Sequence, residues 1–341
     1  MKLSGTVGAA LSGIVIALLG ILAPPATADP TGPDLHVPAA QLDASLSCTP
    51  NLAHAARNPV LLIPGTSADP NSSYGWNYMK AFAASGVPYC GVTLPNSNNL
   101  DIQTDAEYIV HAIRAMHSQS GRKVDLVGWS QGGGPEPRWA LKYWPDARND
   151  VQAFVALDPA NRGSEIVNHL GCGVVQLFCA PAVWQMMPQS KFMTALNSGP
   201  MTFPGITYTV IYSTLSNLIQ PNMNGEMGKL PPGPNVGNIA LQGVCGTFGT
   251  NFDHVGVVAS AVTYNLVTQA IDHPDRPAAV TPATTAACGA GTMPSADMGA
   301  YLGAAGSMYM DGFTKFLPRD AVNAEPPLRC YATLDKRNCV A

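Results

Sequence analysis

The chain has 341 residues, a net charge of -4, and 12% charged against 46% hydrophobic residues. Nothing in that balance supplies the basic stripe that a phosphate backbone demands, so nucleic acid is not an expected partner. The length is enough to bury a sizeable core, as one large domain or two ordinary ones. At the start of the chain, Lys2 is followed by an apolar stretch over 7–22 and by Ala26-Thr27-Ala28. A stretch that short, ending in an Ala-x-Ala site, reads as a secretory signal peptide over 1–28, cleaved near Ala28 to leave an extracellular protein. An uncleaved anchor is the alternative.

Alternation of strand and helix patterns marks the rest. Residues 60–63 and 89–94 read as strands, 102–117 as an amphipathic helix, and 124–127 as a buried strand. A helix carrying Trp139, Leu141 and Trp144 comes next, with Pro135 and Pro137 expected to kink or delay it. Strands follow over 151–157, 207–212 and 239–244, then an apolar helix over 255–271. Such alternation implies an α/β fold with a mostly parallel sheet and helices on both faces. Residues 163–199 carry no strand signal, and an insertion after a strand tends to sit over the carboxyl edge of the sheet. It is a candidate cap or pocket wall, and equally a plain surface excursion. The Pro-, Ala- and Thr-rich tail over 274–341 is expected to wrap the domain.

Eight cysteines stand at 48, 90, 172, 179, 245, 288, 330 and 339. An even count in an exported chain reads as a disulfide framework, and none has the spacing of a zinc site. Cys172 with Cys179 and Cys330 with Cys339 are near enough to close small loops; spacing leaves the other pairings open.

The strand over 124–127 runs directly into Gly128-Trp129-Ser130-Gln131-Gly132. This GxSxG pattern places a serine on a strained strand-to-helix turn, where flanking glycines let the backbone approach closely and leave Oγ exposed. A serine hydroxyl is a weak nucleophile at neutral pH and needs a histidine base held by an acid. In the α/β-hydrolase order the histidine comes last. Of the histidines after Ser130, His254 follows the last strand by a short loop, whereas His169 lies in the insertion and His273 at a helix end beside Pro274. His254 is the expected base. His111 and His117 stand six apart on one helix, which is not ligand spacing, and read as solvated. HExxH, GxGxxG and phosphate-loop patterns are absent, so no metal or cofactor is expected. The oxyanion needs two fixed donors. The residue after the nucleophile, Gln131, offers one, and Thr66 in the Pro64-Gly65-Thr66 loop offers the other.

These residues carry a resemblance. The chain is similar to the α/β-hydrolases of the Candida antarctica lipase B type, through Pro59-Val60-Leu61-Leu62-Ile63-Pro64-Gly65-Thr66, Glu107-Tyr108, Trp129-Ser130-Gln131-Gly132-Gly133, Val183-Trp184-Gln185, Gln220-Pro221, Val244-Cys245-Gly246, Asp253-His254 and Lys336-Arg337-Asn338-Cys339. The resemblance implies Ser130 and His254 as nucleophile and base, Thr66 and Gln131 as the oxyanion hole, and Trp129 lining the pocket for the smaller substrate arm. It also implies the bridges Cys48 to Cys90, Cys245 to Cys288 and Cys330 to Cys339, with Cys172 to Cys179 added.

One departure matters. Where that family carries its acid, four residues before Gln220-Pro221, this chain has Ser216 followed by Asn217. One strand earlier, Leu157-Asp158-Pro159-Ala160 resembles the acid-bearing segment of pancreatic-type lipases and sets Asp158 at a strand's carboxyl end. Asp158 is therefore the expected acid, with the Ser216/Asn217 position as the alternative and a plain turn-capping aspartate as its structural reading. The whole predicts a single α/β-hydrolase domain over 29–341: a secreted serine carboxylic-ester hydrolase, first a lipase acting on acylglycerols or other apolar esters. A polyester hydrolase or acyltransferase would use the same machinery. A non-catalytic binding protein that has lost its acid is the alternative of a different class. The low charge is compatible with contact at a lipid interface, and also with a merely Ala-, Gly- and Pro-rich secreted chain. No obligate protein partner is evident.

Overall fold

The computed structural model describes residues 31–166, 179–247, 253–303 and 320–341, together with Met1 and Gly306. The leader expected over 1–28 falls outside them except for Met1, as do Cys172 and His169. Among the described residues no helix is long and apolar enough to cross a membrane.

Seven strands form one sheet in the order β1-β3-β2-β4-β5-β6-β7. They are β1 Leu46–Cys48, β2 Val60–Ile63, β3 Tyr89–Val92, β4 Val124–Trp129, β5 Val151–Leu157, β6 Thr207–Tyr212 and β7 Val236–Ala240. Only β1 runs antiparallel, against β3. The inner strands β2, β4 and β6 are buried along their whole length because helices cover both faces. Side chains alternate accordingly. Leu61, Ile63, Leu126, Phe154 and Val210 join a core beneath the helices Ile102–Ser120 and Pro135–Tyr143. Val60, Leu62, Val127, Val155 and Ile211 join a second core beneath Tyr78–Ser85 and Ala261–Asp272. The long helix starts where the Asp101 side chain accepts from Gln103 N and stops at Gly121, whose φ of 65° suits a residue without Cβ.

Three segments differ from expectation. The strand predicted over 239–244 lies over Val236–Ala240 and gives way to a helical turn, Leu241–Cys245. β7 is an edge strand, and its pairing with β6 ends at Ala240, so nothing holds the chain extended beyond it. The helix predicted over 255–271 is broken at Ser260, which has extended backbone angles and whose side chain caps Ala261–Asp272. The strand predicted over 89–94 ends at Val92.

The sequence-derived insertion and tail contribute the helices Pro181–Gln185 and Lys191–Asn197 and a C-terminal segment laid against them. Glu325 accepts from Lys191 N and Phe192 N, Tyr331 packs edge-on against Trp144, and Val322 bridges to Cys179. Disulfides join Cys48 to Cys90, Cys245 to Cys288 and Cys330 to Cys339. Cys179 is also disulfide-bonded, and its expected partner Cys172 is outside the described residues.

Candidate active site

Parallel strands deliver the candidate residues to one edge. Ile63 pairs with Gly128, Trp129 with Leu157, and Leu157 with Ile211, so β2, β4, β5 and β6 end side by side. Thr66 lies just past β2, Ser130 follows β4, Asp158 follows β5, and Ser213 to Asn217 follow β6.

The elbow is tight. A Cβ on Gly128 would stand 1.8 Å from the Gly132 carbonyl oxygen, and one on Gly132 would stand 2.2 Å from that of Pro64. Any side chain there would force strand and turn apart, so the glycines are steric requirements. Ser130 itself has φ of 59°, a region that non-glycine residues occupy rarely and at a cost of about 1–3 kcal/mol. After it comes one short turn, Ser130–Gly133, a break at Gly134, and then a helix with Pro135 at its first position. The helix is delayed to Pro135, and both prolines fall in its first turn, where a missing N–H costs no intrahelical bond.

His254 and Asp158 meet. His254 Nδ1 lies 2.7 Å from Asp158 Oδ2, with both side chains buried. An ionised carboxylate only accepts, so Nδ1 carries the proton and Nε2 is left with a free lone pair. Asp158 is supplied with further donors: Ser216 Oγ donates to Oδ2 at 2.6 Å and Ser213 N donates to Oδ1 at 3.0 Å. Its own φ is 40°, a second strained non-glycine position on the same edge. Asn217 Oδ1 accepts from His254 N at 3.1 Å. The Ser216/Asn217 position thus holds neither a carboxylate nor empty space. It holds groups that support the aspartate and the histidine.

Trp129 ties this pair to the elbow. Its Nε1 donates to the His254 carbonyl at 2.9 Å, and the two rings lie 5.1 Å apart at an angle of 33°. The indole, expected along the substrate pocket, is buried and braces the histidine. Among the described residues the Ser130 hydroxyl makes no hydrogen bond. Serine–histidine contacts in ligand-free sites are often long and tighten only on binding.

On the other side of the elbow, Thr66 Oγ1 donates to Gln131 Oε1 at 2.6 Å. Gln131 Nε2 donates in turn to Asn98 Oδ1 at 2.9 Å and to Glu136 Oε1. The Met186 thioether, from the insertion, lies 3.7 Å from the Thr66 hydroxyl. Gln185 from the same turn accepts from Ile102 N at 2.8 Å, so this part of the insertion is pinned against the long helix beside the site.

Other histidines lie elsewhere. His273 caps the far end of Ala261–Asp272, about 18 Å along a helix of that length. His111, expected to be solvated, is largely covered and pairs with Asp43 at 3.0 Å; His117 is half-exposed beside Asp150. Sequence reasoning missed Asn98, Asp105 and Glu136. Asp105 carried a signal: it falls between Ile102, Ala106 and Ile109 in the buried stripe of the long helix, where an acid is out of place.

No family model matches the chain. Lipase B of Pseudozyma antarctica is 31% identical over 239 residues, covering 69% of this chain and 68% of that protein. The crystal structure of Aspergillus fumigatus lipase B superimposes with a TM-score of 0.79 at 27% identity, covering 89% of this chain and 74% of the other. The mature form of a Bacillus licheniformis lipase shares the fold with a TM-score of 0.52 at 18% identity, over 66% of this chain and 97% of its own. With two thirds of each sequence aligned and the sheet edge built as described, the chain belongs to the lipase B family of α/β-hydrolases.

Proposed function

We propose that this protein is an exported carboxylic-ester hydrolase of lipase type, working through a serine acyl-enzyme. The observation that carries the reading is the buried His254–Asp158 hydrogen bond of 2.7 Å, braced by Trp129 against the turn that bears Ser130. A histidine oriented through Nδ1 leaves Nε2 to take the Ser130 proton as Oγ attacks the ester carbonyl carbon. The carbonyl electrons move onto oxygen, and the backbone N–H groups of Thr66 and Gln131 are the proposed donors to that oxyanion. His254 then gives its proton to the departing alcohol oxygen, leaving an acyl-Ser130 ester. Water repeats the sequence from the other side: His254 takes its proton, and Ser130 leaves with the proton restored.

Lipase is favoured within esterases by the two lipase B relatives and by exposed apolar side chains, Leu215 and Met223, on the loop after β6 that carries Ser216. Export is supported by the three disulfides among the described residues, which persist in oxidising compartments. The test is hydrolysis of p-nitrophenyl esters of rising chain length, alongside labelling by an active-site phosphonate. Wild type is expected to turn over long-chain esters and to be labelled at Ser130. Ser130→Ala is expected to lose label and about 10⁵–10⁶ in kcat. Full activity in Ser130→Ala would overturn the mechanism, and turnover confined to acetyl esters would overturn the lipase assignment.

A further inference from the structure

Beneath the proposed oxyanion hole lies a buried acid that the mechanism above does not use. Glu136 is fully buried on the elbow helix, and its Oε1 accepts from Gln131 Nε2. Gln131 Nε2 also donates to Asn98 Oδ1 at 2.9 Å and faces the Asn98 carbonyl at 3.3 Å. The two Asn98 acceptors fix the orientation of the amide, because a flip would set Gln131 Oε1 against both of those oxygens. With Nε2 held there, Oε1 must face Thr66, and it accepts the Thr66 hydroxyl at 2.6 Å. Asn98 closes the ring by donating through Nδ2 to the Pro64 carbonyl at 3.0 Å, at the root of the Thr66 loop.

The two residues expected to supply oxyanion donors are thus clamped to each other through their side chains, and the clamp is anchored on one carboxyl. We propose that Glu136 is a positioning residue of the oxyanion hole, holding the Gln131 amide in the orientation that ties residue 131 to Thr66. The proposal rests on the ester-hydrolase reading and goes beyond it, since Glu136 touches neither substrate nor nucleophile.

Glu136 serves this role as a neutral acid. Its Oε2 and both oxygens of the buried Asp105 have no hydrogen-bond partner among the described residues, and charge left so bare is costly. Burial pushes Glu136 up to about 8, against the smaller opposing effect of its bonds to Gln131 and Asn98. Asp105 is pushed well above the carboxylate range by burial first, and then by Glu136 and Asp101. The titratable groups facing Glu136 are Asp105 from the long helix and Tyr74 from the segment Asn71–Gly75, while Asp101 at the helix cap acts on Asp105. Ionising Glu136 would place a negative charge one amide away from the site where the oxyanion develops.

The test follows kcat and KM for p-nitrophenyl butyrate from pH 6 to 10 in wild type, Glu136→Gln and Glu136→Leu, with circular dichroism to verify folding. Wild-type kcat is expected to fall several-fold above about pH 8. Glu136→Gln, which still offers an acceptor to Gln131 and cannot ionise, is expected to keep kcat within about threefold at pH 7 and to lack the alkaline fall. Glu136→Leu, if folded, is expected to lose about tenfold in kcat with KM unchanged. An identical alkaline fall in Glu136→Gln overturns the proposal even if the leucine variant does not fold, and so does wild-type kcat in a folded Glu136→Leu. Wild-type protein that neither hydrolyses any ester nor takes up a phosphonate would overturn the ester-hydrolase reading as well.

Discussion

The two flanks of the Ser130 elbow treat a buried carboxyl in opposite ways. On the β5–β6 side, Asp158 accepts from His254, Ser216 and Ser213 N, so its oxygens are met by donors. On the β2 side, Glu136 has one bonded oxygen and Asp105 has none among the described residues. Donors are what an anion needs in a low-dielectric interior; without them the neutral acid prevails. The same residue class is therefore built as a charge partner on one flank and as a neutral scaffold on the other. The difference lies in neighbours and not in depth, because all three are fully buried.

The most severe way to break this contrast is to remove the charge from the donor-rich flank. Asp158→Asn can still fill the space, but an amide allows Nδ1 of His254 to face a donor and so favours the wrong tautomer. Turnover is expected to drop about 10⁴-fold, the size of the loss when the acid of a serine–histidine–aspartate set is neutralised. Adding Ser216→Asp to that variant returns a carboxylate to a position whose side chain already lies 2.6 Å from the old one. Recovery of at least about tenfold is expected, as neighbouring sites couple strongly. Stopped-flow kinetics on both variants measures it, and near-normal activity in Asp158→Asn alone would remove Asp158 from the mechanism.

That contrast also marks where the sequence was legible. Of the buried strands, β2 announced itself as an unbroken apolar run and β4 and β5 as runs broken only by Asp125 and Gln152, and the elbow, the Thr66 loop and His254 were marked by motif and chain order. Asp158 could be singled out because it stands at a strand's carboxyl end in a Leu157-Asp158-Pro159-Ala160 stretch resembling the acid-bearing segment of pancreatic-type lipases. Ser216 read only as a missing acid, since its bond to Asp158 spans 58 residues and depends on β5 and β6 being neighbours with Leu157 opposite Ile211. The Gln131–Asn98–Glu136 cluster was invisible for the same reason. Asparagine at 98 and glutamate at 136 look like solvent-facing polar residues until the elbow helix, delayed by Pro135, turns Glu136 inward. An edge effect set the β7 miss: the strand ended early because register with β6 ran out, a fact of pairing and not of propensity.

Stability against pH sharpens the comparison from the other flank. A carboxyl whose folded value is raised favours the folded state below its ordinary unfolded value of 4.5, and that contribution is lost as pH climbs to about 8. The unfolded chain releases its proton first, so the folded state binds more protons through that window and stability falls. Wild type is therefore expected to lose about 2–5 kcal/mol from this site between pH 5 and 8, with Asp105 acting in the same sense. Glu136→Gln should show a flatter profile in urea titrations at stepped pH. A wild-type curve as flat as the variant's would mean that Glu136 is ionised in the folded protein.

The smallest expected effect comes from trimming a single donor off the well-supplied carboxylate. Ser216→Ala removes the hydroxyl at 2.6 Å but leaves Asp158 with His254 and Ser213 N, so the anion remains paired. A hydrogen bond to a charged group is worth about 1.5–3 kcal/mol, part of which solvent or a small rotation of Asp158 recovers. The expected result is a three- to tenfold lower kcat with KM unchanged, since the group steadies His254 and contacts no substrate. Ser216 Oγ also accepts from Ile219 N at 3.1 Å, so the substitution loosens the exposed Leu215–Leu218 turn as well. Ser216→Thr separates the two roles. Its retained hydroxyl should restore kcat if support of Asp158 is what matters, whereas a threonine variant as slow as the alanine one would assign the loss to the turn.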